Sequence, residues 1–105
     1  MFHVIFLVRR KPGMSQEEFA RYWIEEHTPL TAKVPGVRAY RCYTATGAPD
    51  GESAVEGVAV LSFDDEAAYQ RAVEGPEFAA AIGDAVNFQD VEATSALIAM
   101  EHIIV

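Results

Sequence analysis

The chain has 105 residues, half of them hydrophobic, a formal net charge of −8 and one cysteine, Cys42. That length makes one domain, residues 1–105, with a working but modest core. The acidic balance opposes binding to nucleic acid or to an anionic membrane, because both need clustered positive charge.

A lone cysteine excludes an internal disulfide, which fits a reducing, cytoplasmic setting. The first apolar run is too short to span a membrane and lacks the basic flank of a signal peptide. It reads instead as a strand, Phe2 to Arg9, apolar on both faces. Pro12-Gly13 then turns the chain. Ser15 with Glu18 three residues on forms a capping box, which starts an amphipathic helix. Stepping about 100° per residue gives an inward stripe of Phe19, Tyr22, Trp23 and Leu30. Glu17, Arg21, Glu25 and Thr28 fall opposite. His27 lies at the edge of the stripe and Glu26 inside it. Because Thr28 precedes Pro29, the regular helix should loosen at His27 or Thr28, with room for one more turn to Leu30.

Val37 to Thr46 reads as a second strand, with Arg38, Tyr40, Cys42 and Thr44 on one face. The segment TGAPDGESA is turn-rich. Val58 to Phe63 is a third strand, apolar on both faces. Asp64 or Asp65 can cap a helix that buries Tyr69, Ala72 and Val73. Gly75-Pro76 breaks it, and Pro76 can open another short helix with Phe78, Ile82 and Val86 inward. Ala96 to Met100 and His102 to Val105 complete the pattern as a last strand with a bulge.

The order β-α-β-β-α-β predicts an α+β, ferredoxin-like fold, an antiparallel sheet with its helices on one face. Three strands nonetheless look apolar on both faces, and an uncovered apolar sheet face of that size is an aggregation liability. Two copies laid sheet to sheet resolve the conflict, so a homodimer is expected.

Among the titratable residues, His27 is the leading candidate for acid–base work. It stands at a helix end beside apolar surface, and histidine moves protons in both directions near neutrality. A second reading stays open, in which the ring packs at the helix terminus and serves a free carbonyl. Tyr40, on the neighbouring strand, can hydrogen-bond a substrate oxygen or serve as core. Glu26 is a second acid or a ligand-orienting group. Phe6, Phe19 and Trp23 can line a pocket for a flat apolar molecule, and Arg38 or Arg9 can hold a carboxylate. Arg41 reads as surface. Metal binding lacks support, since His3, His27 and His102 have no local ligand spacing. Cys42 reads as a small buried hydrophobe. There is no glycine-rich phosphate loop and no nucleophile elbow.

The stretch LVRRKPGMSQEEFARYWIEEHTPL, followed by VPGVRAY, resembles the EthD family of dimeric α/β-barrel proteins. The likeness rests on Lys11-Pro12-Gly13, Phe19, Tyr22-Trp23, His27 with Pro29-Leu30, and Pro35-Gly36 before Tyr40. Asp84, Phe88 and Asp90 match the D-x3-F-x-D ending of such chains. The resemblance implies a ferredoxin-like protomer that pairs into a barrel, with a pocket between sheet and helices and often no bound cofactor. The family includes a protein linked to ethyl tert-butyl ether degradation. Its relatives include methylmuconolactone isomerases and polyketide-tailoring decarboxylases or cyclases. In the isomerase-like relatives a histidine and a tyrosine act on substrate, and His27 and Tyr40 match those positions.

The first expectation is therefore a cofactor-free enzyme in which His27 moves a proton and Tyr40 steadies an oxygen. Its substrate would be a hydrophobic carbonyl, lactone or phenolic compound. The alternatives are an oxidative, monooxygenase-like enzyme, with Trp23, His27 and Asn87 as its suggestive residues, or a ligand-binding accessory protein of a degradative oxygenase pathway.

Overall fold

A computed structural model describes the whole chain, Met1–Val105. Its elements are β1 (Phe2–Val8), α1 (Gln16–Tyr22), a π-helical turn (Trp23–His27), α2 (Thr28–Ala32), β2 (Ala39–Thr44), β3 (Gly57–Phe63), α3 (Glu66–Val73), α4 (Pro76–Asp84), a 3-10 turn (Ala85–Asn87) and β4 (Ser95–Ala99). The four strands form one sheet in the order β2-β3-β1-β4, and every neighbouring pair is antiparallel. This is the expected α+β, ferredoxin-like arrangement.

The local devices are those the residues dictate. Ser15 Oγ accepts the Glu18 N–H at 3.1 Å, and Glu18 Oε1 accepts the Ser15 N–H at 3.3 Å, a closed capping box. Asp65 caps α3 through the Ala68 N–H at 2.8 Å. Gly13 sits at φ 86° in the turn before α1, a conformation that costs glycine nothing. Gly57 begins β3 directly under the Trp23 ring. A Cβ there would collide with that ring and lie 2.8 Å from the Tyr43 carbonyl.

Between sheet and helices lie two joined apolar clusters. One gathers Val8, Phe19, Trp23, Ala59 and Phe88, and the other Val34, Leu61, Phe63, Ala68 and Ala72. Burying each Val, Leu or Phe among them contributes about 1.5–3 kcal/mol, and the alanines less, so these ten residues hold the helices to the sheet.

Three expectations need correction. The loosening expected at His27 or Thr28 is there, as a π turn that ends at His27, but the helix then passes through Pro29 and runs beyond Leu30 to Ala32. Proline has no N–H to donate to residue 25. The backbone lengthens its turn instead, and the Thr28 N–H bonds the Trp23 carbonyl five residues back. In α4 Phe78 turns inward as expected, but the buried positions after it are Ala81 and, just beyond the helix end, Ala85, whereas Ile82 is 51 % and Val86 59 % exposed. Small side chains let α4 approach its neighbours closely. The last strand ends at Ala99, and no strand extends over His102 to Val105.

The helix-free face of the sheet carries Ile5 and Leu7 from β1, Val58 and Val60 from β3, Tyr43 from β2 and Leu97 from β4. His3 Nδ1 lies 2.7 Å from Ser62 Oγ on the same face. No helix packs on this surface: Ile5, Leu7, Val58 and Val60 are half-buried within the sheet, and Tyr43 and Leu97 are exposed.

Candidate functional site

The π turn decides where the first helical stretch points its side chains. One additional residue in that turn sets everything after it back by roughly one residue's 100° step. Phe19, Trp23, His27 and Thr31, at intervals of four, consequently share the inner face and are all buried. Glu26, placed inside the apolar stripe by a regular 3.6-residue helix, turns outward and is exposed.

His27 is 8 % exposed and bounded on three sides. Its Nδ1 is 2.9 Å from Asp84 Oδ2, and its Nε2 is 3.3 Å from Thr31 Oγ1. The Phe88 ring packs against the imidazole with centroids 4.7 Å apart. Asp84 also accepts the Tyr22 hydroxyl at 2.7 Å and the Asn87 side-chain amide at 2.9 Å, both on Oδ1. This carboxyl stands against its setting, since it closes the C-terminal end of α4, where the helix dipole disfavours a negative charge. Burial pushes its pKa up, yet the three donors from Tyr22, Asn87 and His27 outweigh burial and hold it below the usual carboxylate value. The same contact keeps the Tyr22 phenol protonated to higher pH: its hydrogen bond to Asp84 raises the pKa, with burial adding to it.

An ionised Asp84 accepts only, so the facing Nδ1 must carry a proton. In the neutral ring that leaves Nε2 with a lone pair, directed toward Thr31 and the space beyond it. That space is a cavity of about 230 Å³ between helices and sheet. Phe6, Val8, Ala59 and Leu61 form its floor. Trp23, His27, Thr31 and the α4 residues Phe78, Ala81 and Ala85 form its roof. Tyr40 closes one side, and Gln89, Thr94 and Ser95 another. Val8, Trp23, His27, Thr31, Ala59 and Leu61 are buried and Phe6, Tyr40 and Phe78 half-buried, whereas Ile82, Val91, Ser95 and Ala96 are exposed and mark the mouth. Tyr40 is kept neutral: burial, then the nearby Cys42 thiol, drive its pKa well above the ordinary phenol value, against smaller opposing effects of Thr31 and the Trp23 indole. Burial likewise raises the Cys42 thiol.

Four of the residues singled out in the sequence, His27, Tyr40, Phe6 and Trp23, thus meet around one cavity. Three do not. Phe19 packs wholly inside the core against Trp23 and Phe88 and does not reach the cavity wall. Glu26 faces outward. Arg38 lies on the surface in a two-pronged pair with Asp64, at 3.0 and 2.9 Å. It directly precedes β2, and the pair with Asp64 holds its guanidinium at the surface. Arg9 is bound to Glu56 at 3.1 Å, and Asn87 is committed to Asp84. In the sequence Asp84 stands out only as part of a motif and Tyr22 only in that motif and the inward stripe, and Thr31 and Gln89 give no signal there. A buried-histidine partner 57 positions away leaves no local pattern.

Fold and site together define a small ferredoxin-like protein with a histidine–aspartate pair set in the wall of an apolar cavity. The chain belongs to the EthD family: the EthD domain model matches residues 11–92. Among solved structures it is similar to an ethyl tert-butyl ether D (EthD) family protein from Bacillus halodurans, at 26 % identity and a TM-score of 0.82, covering 97 % of this chain and 100 % of that one. It is also similar to a dimeric ferredoxin-like protein of unknown function from Thermobifida fusca, at 17 % identity and a TM-score of 0.74, covering 95 % and 90 %. An antibiotic biosynthesis monooxygenase superposes at 17 % identity and a TM-score of 0.64, covering 98 % and 99 %. The last two show the shared fold alone. No curated protein matches the chain.

Proposed function

We propose that this protein is an acid–base enzyme of the isomerase, cyclase or decarboxylase type, acting on a small hydrophobic carbonyl, lactone or phenolic compound. The observation that carries this reading is the Asp84–His27 pair at the wall of the cavity. A charge-assisted partner on Nδ1 fixes the ring and leaves Nε2 facing the void as a base. In the simplest step, Nε2 takes a proton from a carbon beside the substrate carbonyl. The electron pair of that C–H bond forms an enolate, and Asp84 stabilises the imidazolium. The neutral Tyr40 hydroxyl donates a hydrogen bond to the enolate oxygen. Return of the proton to another carbon isomerises the substrate, and attack of the enolate on an internal carbonyl cyclises it.

The test is hydrogen–deuterium exchange at the acidic carbon of a neutral bicyclic ketone such as 2-tetralone, followed by NMR in D₂O. The protein should accelerate exchange over buffer by about 10²-fold or more. His27→Ala should abolish the acceleration and Tyr40→Phe should reduce it. Full acceleration in His27→Ala sinks the assignment.

The same reading includes a homodimer formed through the helix-free sheet face. It is supported by the uncovered row of Ile5, Leu7, Val58 and Val60 and by the dimeric Thermobifida fusca neighbour.

A further inference from the structure

The cavity restricts its occupant more tightly than the fold does. We infer that it takes an uncharged ligand of about two fused rings and rejects carboxylated analogues of the same size, which narrows the proposed reactions to isomerisation and cyclisation; this rests on reading the cavity as the substrate site. None of the eighteen residues around it is Lys, Arg, Asp or Glu. Its polar groups are an imidazole, an indole N–H, three hydroxyls, a phenol and an amide, all neutral or paired. The one group there that can become cationic, His27, is bound to Asp84 at 2.9 Å. An imidazolium with its carboxylate sums to zero, and a neutral imidazole beside that carboxylate sums to −1. In neither state does the site offer net positive charge.

None of the chain's eight Lys and Arg side chains lines the cavity, and Arg38 and Arg9, the two with the fork geometry singled out for a carboxylate, are engaged on Asp64 and Glu56. The chain as a whole carries −8, so its long-range field also repels anions. A carboxylate entering would shed its water without gaining a partner, a cost that a paired site alone can offset.

Volume sets the size. An apolar cavity of about 150 Å³ accepts one benzene ring, so about 230 Å³ accepts one ring more in part, a fused bicycle or a substituted single ring. The polar groups lie both deep, at His27, Thr31 and Tyr40, and toward the mouth, at Gln89, Thr94 and Ser95. A ligand with an oxygen at one end reaches the deep set while its apolar body rests on Phe6 and Leu61.

Isothermal titration calorimetry at neutral pH tests this with 2-naphthol, which is uncharged there, and 2-naphthoate, which is ionised. The expected result is saturable binding of 2-naphthol at least tenfold tighter than that of 2-naphthoate. Ile82→Arg places a cation at the exposed mouth on the solvent side of α4, where the fold tolerates it. It should narrow or reverse the preference by improving naphthoate binding tenfold or more. Equal affinity of the wild-type protein for both probes, or no binding of either at millimolar concentration, overturns the proposal. A naphthoate affinity unmoved by Ile82→Arg overturns its electrostatic basis. These outcomes are separable from the acid–base reading. His27→Ala should still bind 2-naphthol while losing exchange, and loss of the charge preference alone leaves the exchange result intact.

Discussion

At the scale of single residues, Asp84 is the group on which the others depend. Three donors converge on it from the first helix, the π turn and the 3-10 turn, and its ionisation dictates which nitrogen of His27 faces the cavity. Asp84→Asn keeps the shape and removes the charge, so it should mix the two imidazole tautomers. Nitrogen-15 shifts of His27 should report Nδ1–H alone in the native protein and both forms in the variant. Exchange activity should fall by roughly the 10²–10⁴-fold that such proton transfer contributes. A variant with an unchanged tautomer would show that Asp84 is only structural. The Tyr40 phenol makes a second prediction, about alkaline stability. Burial raises its folded pKa above the ordinary value of 10.0. Just above pH 10 the unfolded chain has released that proton and the folded chain has kept it. The native state then binds more protons, and stability falls as pH rises. Tyr40→Phe should flatten the fall of urea midpoints above pH 10. Tyr22, shifted in the same direction, should leave part of the slope.

At the scale of elements, the π turn separates what could be read in the residues from what could not. The capping box at Ser15 and Glu18, the Asp65 cap and the strand cores were legible because each depends on residues no more than a few positions apart. The phase of the helix after Trp23 was not legible. Pro29 marks a disturbance in the hydrogen-bond ladder, but a break and a lengthened turn satisfy it equally well locally. Tertiary packing chose the lengthened turn, since it alone puts His27 beside Asp84 and Thr31 beside His27 while keeping Trp23 in the core. Glu26 and the extent of the helix were misplaced for that one reason. In α4 the apolar pattern offers Ile82 and Val86 as inward beside Phe78, whereas close packing puts Ala81 and Ala85 there. The fit of Trp23 against β3 gives a prediction at this scale. Gly57→Ala puts a methyl group into the indole ring and against the Tyr43 carbonyl, neither of which can move freely. The overpacking should cost about 1–3 kcal/mol in chemical denaturation. It should also disturb the cavity roof, because the same ring lines it. A fully stable Gly57→Ala would mean that the indole can swing aside and that the roof is not rigid.

At the scale of the whole molecule, the sheet has one face that its own helices cover and one that no helix covers. Apolar residues on both faces of β1 and β3 were visible in the sequence, and their arrangement in the folded chain explains why that matters. Ile5 stands opposite Val60 on one side and Leu97 on the other, so three strands contribute to one continuous apolar row. Exposed to water, such a row would favour unspecific association; laid against its own copy, it becomes a second core. Ile5 is the most informative position to change, because it sits on a central strand while its side chain points away from the helices and the His27 cavity. Ile5→Lys should therefore leave the protomer folded yet force two charges into the proposed interface. Light scattering behind size exclusion should give a dimer for the native chain at micromolar concentration and a monomer for the variant, with circular dichroism unchanged. A native monomer, or a variant still dimeric, would show that this face is not the contact. If the variant separates but retains ketone exchange, each cavity is complete within its own chain. If exchange is lost with the dimer, pairing is what holds helices and sheet in the geometry that keeps His27 against Asp84.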